Sequence, residues 1–126
     1  LRFLVLGNSA VYEDGLAVRL IPKLQTHFPQ HEFVPFDPNE QIASEEVWAI
    51  DVVKGIEKVC ILDENDVHRL KSPPTATLHD FDFAFQLKLM INLGIVKKVH
   101  IIAIPYGMEE MDAEREVCGA IADIGK

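Results

Sequence analysis

Residues 2–19 read RFLVLGNSAVYEDGLAVR, and the order of residue types in this stretch decides how the rest of the chain is read. Arg2 to Leu6 carries a short continuous apolar run that stops abruptly at Gly7-Asn8. Such a run is the mark of a strand buried on both faces, which implies parallel neighbours and helices over the sheet. From Leu16 the apolar positions Leu16, Leu20, Leu24 and Phe28 recur at four-residue spacing. That spacing predicts an amphipathic helix over residues 15–28. Between strand and helix lies a short loop ending in Glu13-Asp14-Gly15. In an open α/β sheet, ligands bind at the carboxyl ends of the strands, so Asp14 is a candidate site residue. It also reads as the N-cap or first-turn acid of the helix that follows, and local spacing leaves both readings open.

Composition bounds the alternatives. The chain has 126 residues, 48% of them hydrophobic, which suits one domain, residues 1–126, with a core that needs no staples. A net charge of -8 argues against a nucleic-acid partner, because clustered Lys and Arg are what neutralise a phosphate backbone. No apolar run approaches the roughly 20 residues that span a bilayer, and the first strand is too short for a signal peptide. Cys60 and Cys118 sit in apolar patterns and read as free, buried, reduced thiols, which places the protein in the cytoplasm.

The remaining chain continues the alternation. Glu32 to Phe36 reads as a strand confined to a sheet edge, because Pro35 lacks a ladder donor. Val47-Trp48-Ala49-Ile50 is another buried run ending in an acid, Asp51; Ser44-Glu45-Glu46 is also a fair helix start, and a helix through residues 46–54 would make Asp51 an ordinary surface residue. Lys58 to Leu62 is a further strand, close enough to the previous one to predict an antiparallel hairpin with it. After the Ser72-Pro73-Pro74-Thr75 loop, Leu78-His79-Asp80 opens a helix over 81–93 that ends at Gly94. Val99 to Ile104 is the last buried strand, and 109–124 is a closing helix with Ala113, Val117, Ala120, Ile121 and Ile124 on one side. Pro22 predicts a kink or break in the first helix. The fold class is therefore α/β: three layers, a mostly parallel twisted sheet with helices on both faces and one antiparallel strand.

Asp14, Asp51 and His79 together offer two oxygens and one nitrogen, a donor set suited to a borderline divalent metal with open positions. Taken singly, each has an ordinary structural reading: an acid at a strand end is a common turn residue, and a histidine at a helix start commonly caps or packs. No periodicity joins the three.

A resemblance does. Gly7-Asn8 with Asp14-Gly15 and Arg19, Ile50-Asp51-Val52-Val53 with Gly55, and Leu78-His79-Asp80 before a helix resemble the hydrogenase maturation endopeptidase family, in that order and across nearly the whole chain. The resemblance implies a peptidase that cleaves a C-terminal extension from the large-subunit precursor of a nickel hydrogenase. It implies that Asp14, with Glu13 as its acidic neighbour, Asp51 and His79 form the metal and catalytic site, with Thr77 standing where the family has Ser. The implied metal is nickel carried by the substrate, which zinc or cadmium can replace in a crystal; the implied partner is the hydrogenase precursor.

Two departures stand out. Asp37-Pro38-Asn39-Glu40 replaces a glycine-containing turn usual in the family, and Val52 replaces the usual Ala after the strand acid. The first leaves room for a catalytically silent metal-binding assembly factor of the same fold. Asp63, at the end of Ile61-Leu62, is an alternative second acid, although only fifteen residues then separate it from His79.

Overall fold

The computed structural model describes residues 1–7, 15–36, 44–69, 87 and 89–124. Five strands, β1 (Arg2–Val5), β2 (Glu32–Pro35), β3 (Glu46–Val53), β4 (Cys60–Asp63) and β5 (Lys98–Pro105), form one sheet in the order β2-β1-β3-β5-β4. All neighbours are parallel except β4 and β5. The α/β class and the parallel sheet expected from the apolar runs are therefore what the chain adopts.

Alternation along the strands builds two separate cores. Phe3, Val5, Ile50, Val52, Ile102 and Ile104 face one side, where they pack against helix residues Leu16, Ala17, Leu20, Leu24, Ala113, Val117 and Ile121. Val47, Ala49, Val99 and Ile101 face the other, against Val67, Leu87 and Val96. A strand with apolar residues on both sides needs cover on both sides, which is why the central strands read as unbroken apolar runs.

Segment 46–54 is where two readings competed, and it is strand: β3 extends through Val53 with Glu46 to Val53 in register with Lys98 to Pro105. Eight consecutive parallel partners on β5, with β1 on the other side, outweigh the local helix-start signal of Ser44-Glu45-Glu46. The same pairing overturns the predicted hairpin. Both edges of β3 are taken, so residues 54–59 carry the chain past the position of β5, and β4 pairs antiparallel with β5 instead.

Pro22 breaks the first helix as its missing N–H requires. Helix α1 (Leu16–Arg19) ends at Leu20, and α2 (Ile21–His27) begins with Pro22 in its first turn, where no donor is needed. The Leu20 N–H is shared between Ala17 O at 3.1 Å and Leu16 O at 3.3 Å. Helix α3 (Glu64–Arg69) follows β4 directly. Residues 87 and 89–92 are helical, and Gly94 ends that segment at φ 76°, a left-handed turn that glycine adopts without strain. The start of the 81–93 helix lies outside the described residues. The closing helix, α4 (Glu110–Ile124), buries Ala113, Val117 and Ile121.

Pro35 places β2 at an edge, as expected. Both cysteines are free, but neither is fully buried: Cys60 sits on the other edge strand, and Cys118 lies on α4 at the margin of the first core. Burial, with a smaller contribution from Glu114, raises the Cys118 thiol above its ordinary pKa. Among the described residues, no helix is long and apolar enough to cross a membrane.

Candidate functional site

The parallel strands all deliver their carboxyl ends to one rim. Strand β1 runs between β2 and β3, with Val5 paired to both Pro35 and Ile50. One residue further along, the Leu6 N–H donates to Ile50 O at 2.9 Å, and the chain turns at Gly7 with φ 147°, a conformation that favours glycine. The carboxyl end of β1 therefore lies beside Asp51. The chain returns at Gly15, which fills the N-cap position of α1, and the first turn of that helix contains no acid. Asp14 itself lies outside the described residues, as do Glu13, Thr77, His79 and the 37–40 turn.

Asp51 stands on β3 directly after the Val5–Ile50 pair, half-buried, with its Oδ1 accepting from the Val52 N–H at 2.8 Å. It faces the second core, the side lined by Val47 and Ala49. In register across the sheet stand Ala103 on β5 and then Cys60 on β4. Two strand spacings, about 10 Å, separate Asp51 from Cys60, which puts the thiol beyond the first coordination sphere of any ion that Asp51 binds.

Asp63 is held elsewhere. It pairs with His100, in the row of Trp48, three residues or about 10 Å back along the strands from the Asp51 row. Its Oδ1 accepts from the backbone N–H groups of Asn65 at 2.9 Å and Asp66 at 3.0 Å, and the Asp66 carboxylate accepts from the Asp63 N–H at 2.9 Å. This reciprocal arrangement caps α3. Because β4 runs antiparallel to its neighbour, its carboxyl end falls at the amino end of the others, so of the two alternative acids it is Asp51 that stands on the rim.

Just past Asp51 the rim gains two further side chains. Val53 and Pro105 are the last paired residues of β3 and β5, and the Tyr106 N–H donates to Val53 O at 3.0 Å. Lys54 Nζ lies 4.8 Å from the centroid of the Tyr106 ring, within cation–π range. Sequence reasoning missed this pair, because nothing in the spacing of residues 54 and 106 joins them before the strands are registered.

An exposed or half-exposed carboxylate at a strand end can ligate a cation or accept a proton from water. Among the described residues, no group of three or more His, Cys, Asp or Glu side chains is placed to hold a metal ion; Asp51 is the one member of the predicted ligand set within them.

No family model matches the sequence, and no curated protein matches it either. Solved structures do match in three dimensions. Hydrogenase maturating endopeptidase HybD from E. coli superposes with a TM-score of 0.58 over 99% of this chain and 94% of its own, at 18% identity. The chain has the hydrogenase maturation endopeptidase fold. A hydrogenase 2 maturation peptidase from Thaumarchaeota archaeon SCGC_AB-539-E09 superposes with a TM-score of 0.55, over 98% of this chain and 97% of its own, at 16% identity. Both superpositions span nearly the whole length of each chain.

Proposed function

We propose that this chain is a cytoplasmic endopeptidase that removes the C-terminal extension from the large-subunit precursor of a nickel hydrogenase, recognising the nickel already inserted. The observation that carries the reading is the position of Asp51: in a chain with the fold of two maturation peptidases along its whole length, the strand acid called for by the sequence resemblance stands at the carboxyl-end rim, next to the strand that leads into the Asp14 loop.

In this reading Asp14, Asp51 and His79 supply two carboxylates and an imidazole to the nickel that the precursor brings. Ligation fixes the peptide, so that only a precursor with its metal in place presents the scissile bond at the rim. A carboxylate within reach of a water molecule then serves as general base for hydrolysis. Partial neutralisation of the two acids by the substrate's own cation makes recognition of an empty precursor unfavourable. The protein acts without nucleic acid or membrane.

The departure at Asp37-Pro38-Asn39-Glu40 supports a second reading, an assembly factor that binds the metal-loaded precursor without cutting it. Incubation with nickel-loaded and nickel-free precursor, followed by intact-mass measurement of the large subunit, separates the two. Loss of the extension from the loaded form alone is the expected result. Binding without cleavage establishes the assembly factor, and neither binding nor cleavage removes the hydrogenase reading.

A further inference from the structure

We propose that Arg19 is a positioning residue for cleavage: its main chain holds Gly15, the residue after Asp14, while its side chain ties that turn to Glu110 at the start of α4. The proposal rests on the peptidase reading above and adds to it how the start of α1 is held against the strands that carry Asp51.

Helix α1 has four residues, its Gly15 N-cap makes no side-chain hydrogen bond, and Pro22 separates it from the rest of α2. A helix of one turn has no stability of its own, so contacts with the rest of the fold set where it sits. Leu16 and Ala17 supply apolar contacts in the first core. Arg19 supplies a polar one. Its N–H donates to Gly15 O at 3.0 Å, and its Nε donates to Glu110 Oε1 at 3.1 Å. Glu110 is in turn fixed to the sheet by a short link: it opens α4 soon after β5 ends at Pro105, and Pro105 pairs with Val53 on the strand that carries Asp51. One side chain thus joins the turn that follows Asp14 to the frame that holds Asp51. Lys23 supplies the contrast. It donates to the same carboxylate, to Oε2 at 3.1 Å, and its hydrogen bond lowers the Glu110 carboxyl more than that of Arg19 does, but its side chain leaves from α2, beyond the Pro22 break. A network that only matches charge would depend on Lys23 more, whereas placement of the Gly15 turn depends on Arg19.

Steady-state cleavage of nickel-loaded precursor and amide hydrogen exchange are measured for the wild type, Arg19→Gln, Arg19→Lys, Glu110→Gln, Lys23→Gln and the double variant Arg19→Gln, Glu110→Gln. An ion pair this exposed, 28% for Arg19 and 32% for Glu110, contributes little to global stability, so every variant is expected to fold. Arg19→Gln and Glu110→Gln should each lower kcat/KM about tenfold, most of it in kcat, as for a reacting group displaced by a fraction of an ångström. The double variant should lose no more than either single one, because both break the same contact. Arg19→Lys should keep most of the wild-type rate, and Lys23→Gln should stay within about twofold of it, the scale of an exposed charge. Exchange of the residue 19 and 20 amides should accelerate in the variants that lose rate and not in Lys23→Gln. Full activity in Arg19→Gln, or an equal loss in Lys23→Gln, overturns the proposal and leaves the peptidase reading in place. A wild type that cuts no precursor overturns the peptidase reading and with it a role in cleavage; unchanged exchange in Arg19→Gln then removes the hold on the turn as well.

Discussion

The two ends of the sheet are built from similar residue types and put them to different uses. At the amino end, several charged groups meet partners within the chain. His100 stacks on Trp48 with ring centroids 3.9 Å apart and an interplanar angle of 15°, and its Nε2 lies 2.9 Å from Glu46 Oε2. Asp63 and Asp66 close the start of α3, and Glu45 meets Lys97. At the carboxyl end, Asp51 spends Oδ1 on the adjacent backbone N–H, and Lys54 rests on an aromatic ring. Glu46 with His100, Glu45 with Lys97 and Asp63 with the start of α3 tie the amino end together, whereas the carboxyl-end rim carries the acid that the sequence resemblance assigns to the site. Substitutions at the amino end should therefore cost stability and spare cleavage, and those at the carboxyl end should do the reverse.

The largest expected effect is on the carboxyl side. Asp51→Asn and His79→Ala should each lower the rate of precursor cleavage by at least about a hundredfold, with thermal unfolding within a degree or two of the wild type. Full activity in His79→Ala, or a collapse of the fold in Asp51→Asn, would break the contrast between the two ends.

On the amino side, His100→Ala removes the stacked Trp48 contact and the Glu46 partner together. We expect a loss of about 1 kcal/mol in denaturant unfolding and an unchanged cleavage rate.

Acid sharpens the same division. The His100 hydrogen bond holds the Glu46 carboxyl below its ordinary 4.5, and hydrogen bonds from Lys23 and then Arg19 do the same for Glu110 on the far side of α1 and α2. Because the folded state binds these protons less readily than the unfolded chain, their contribution is complete above about pH 4.5 and is lost as the pH falls through the depressed values. The melting temperature should drop below that pH, and the double variant Glu46→Gln, Glu110→Gln should show a flatter acid limb. A double variant with the same acid limb as the wild type would remove these two carboxyls as its cause.

The smallest effect concerns Cys118. Its raised thiol pKa predicts slower alkylation at neutral pH than for a peptide thiol, a difference that disappears in denaturant.

Much of this architecture is already legible along the chain, because it depends on neighbours in sequence. The apolar runs at Arg2 to Leu6, Val47 to Ile50 and Val99 to Ile104 became the central strands. Pro22 ended one helix and opened another, and Gly94 closed a third, each through a backbone property of the residue itself. Read from the apolar run alone, Asp51 closes its strand; β3 runs two residues further, to Val53, because its pairing with β5 continues to Pro105.

What tertiary structure alone decided was pairing. The short link after β3 argued locally for a hairpin, but eight residues of parallel pairing with β5 filled that edge and sent β4 to the far side. The same event carried Asp63 to the amino end as a helix cap and left Asp51 at the rim. It also set Lys54 over Tyr106, a contact between residues that become neighbours only when the ends of β3 and β5 come into register. Local propensity chooses which segments are strands; which strands meet, and therefore which side chains share a rim, depends on burying long apolar strands against each other, and that comparison is made only across the whole folded sheet.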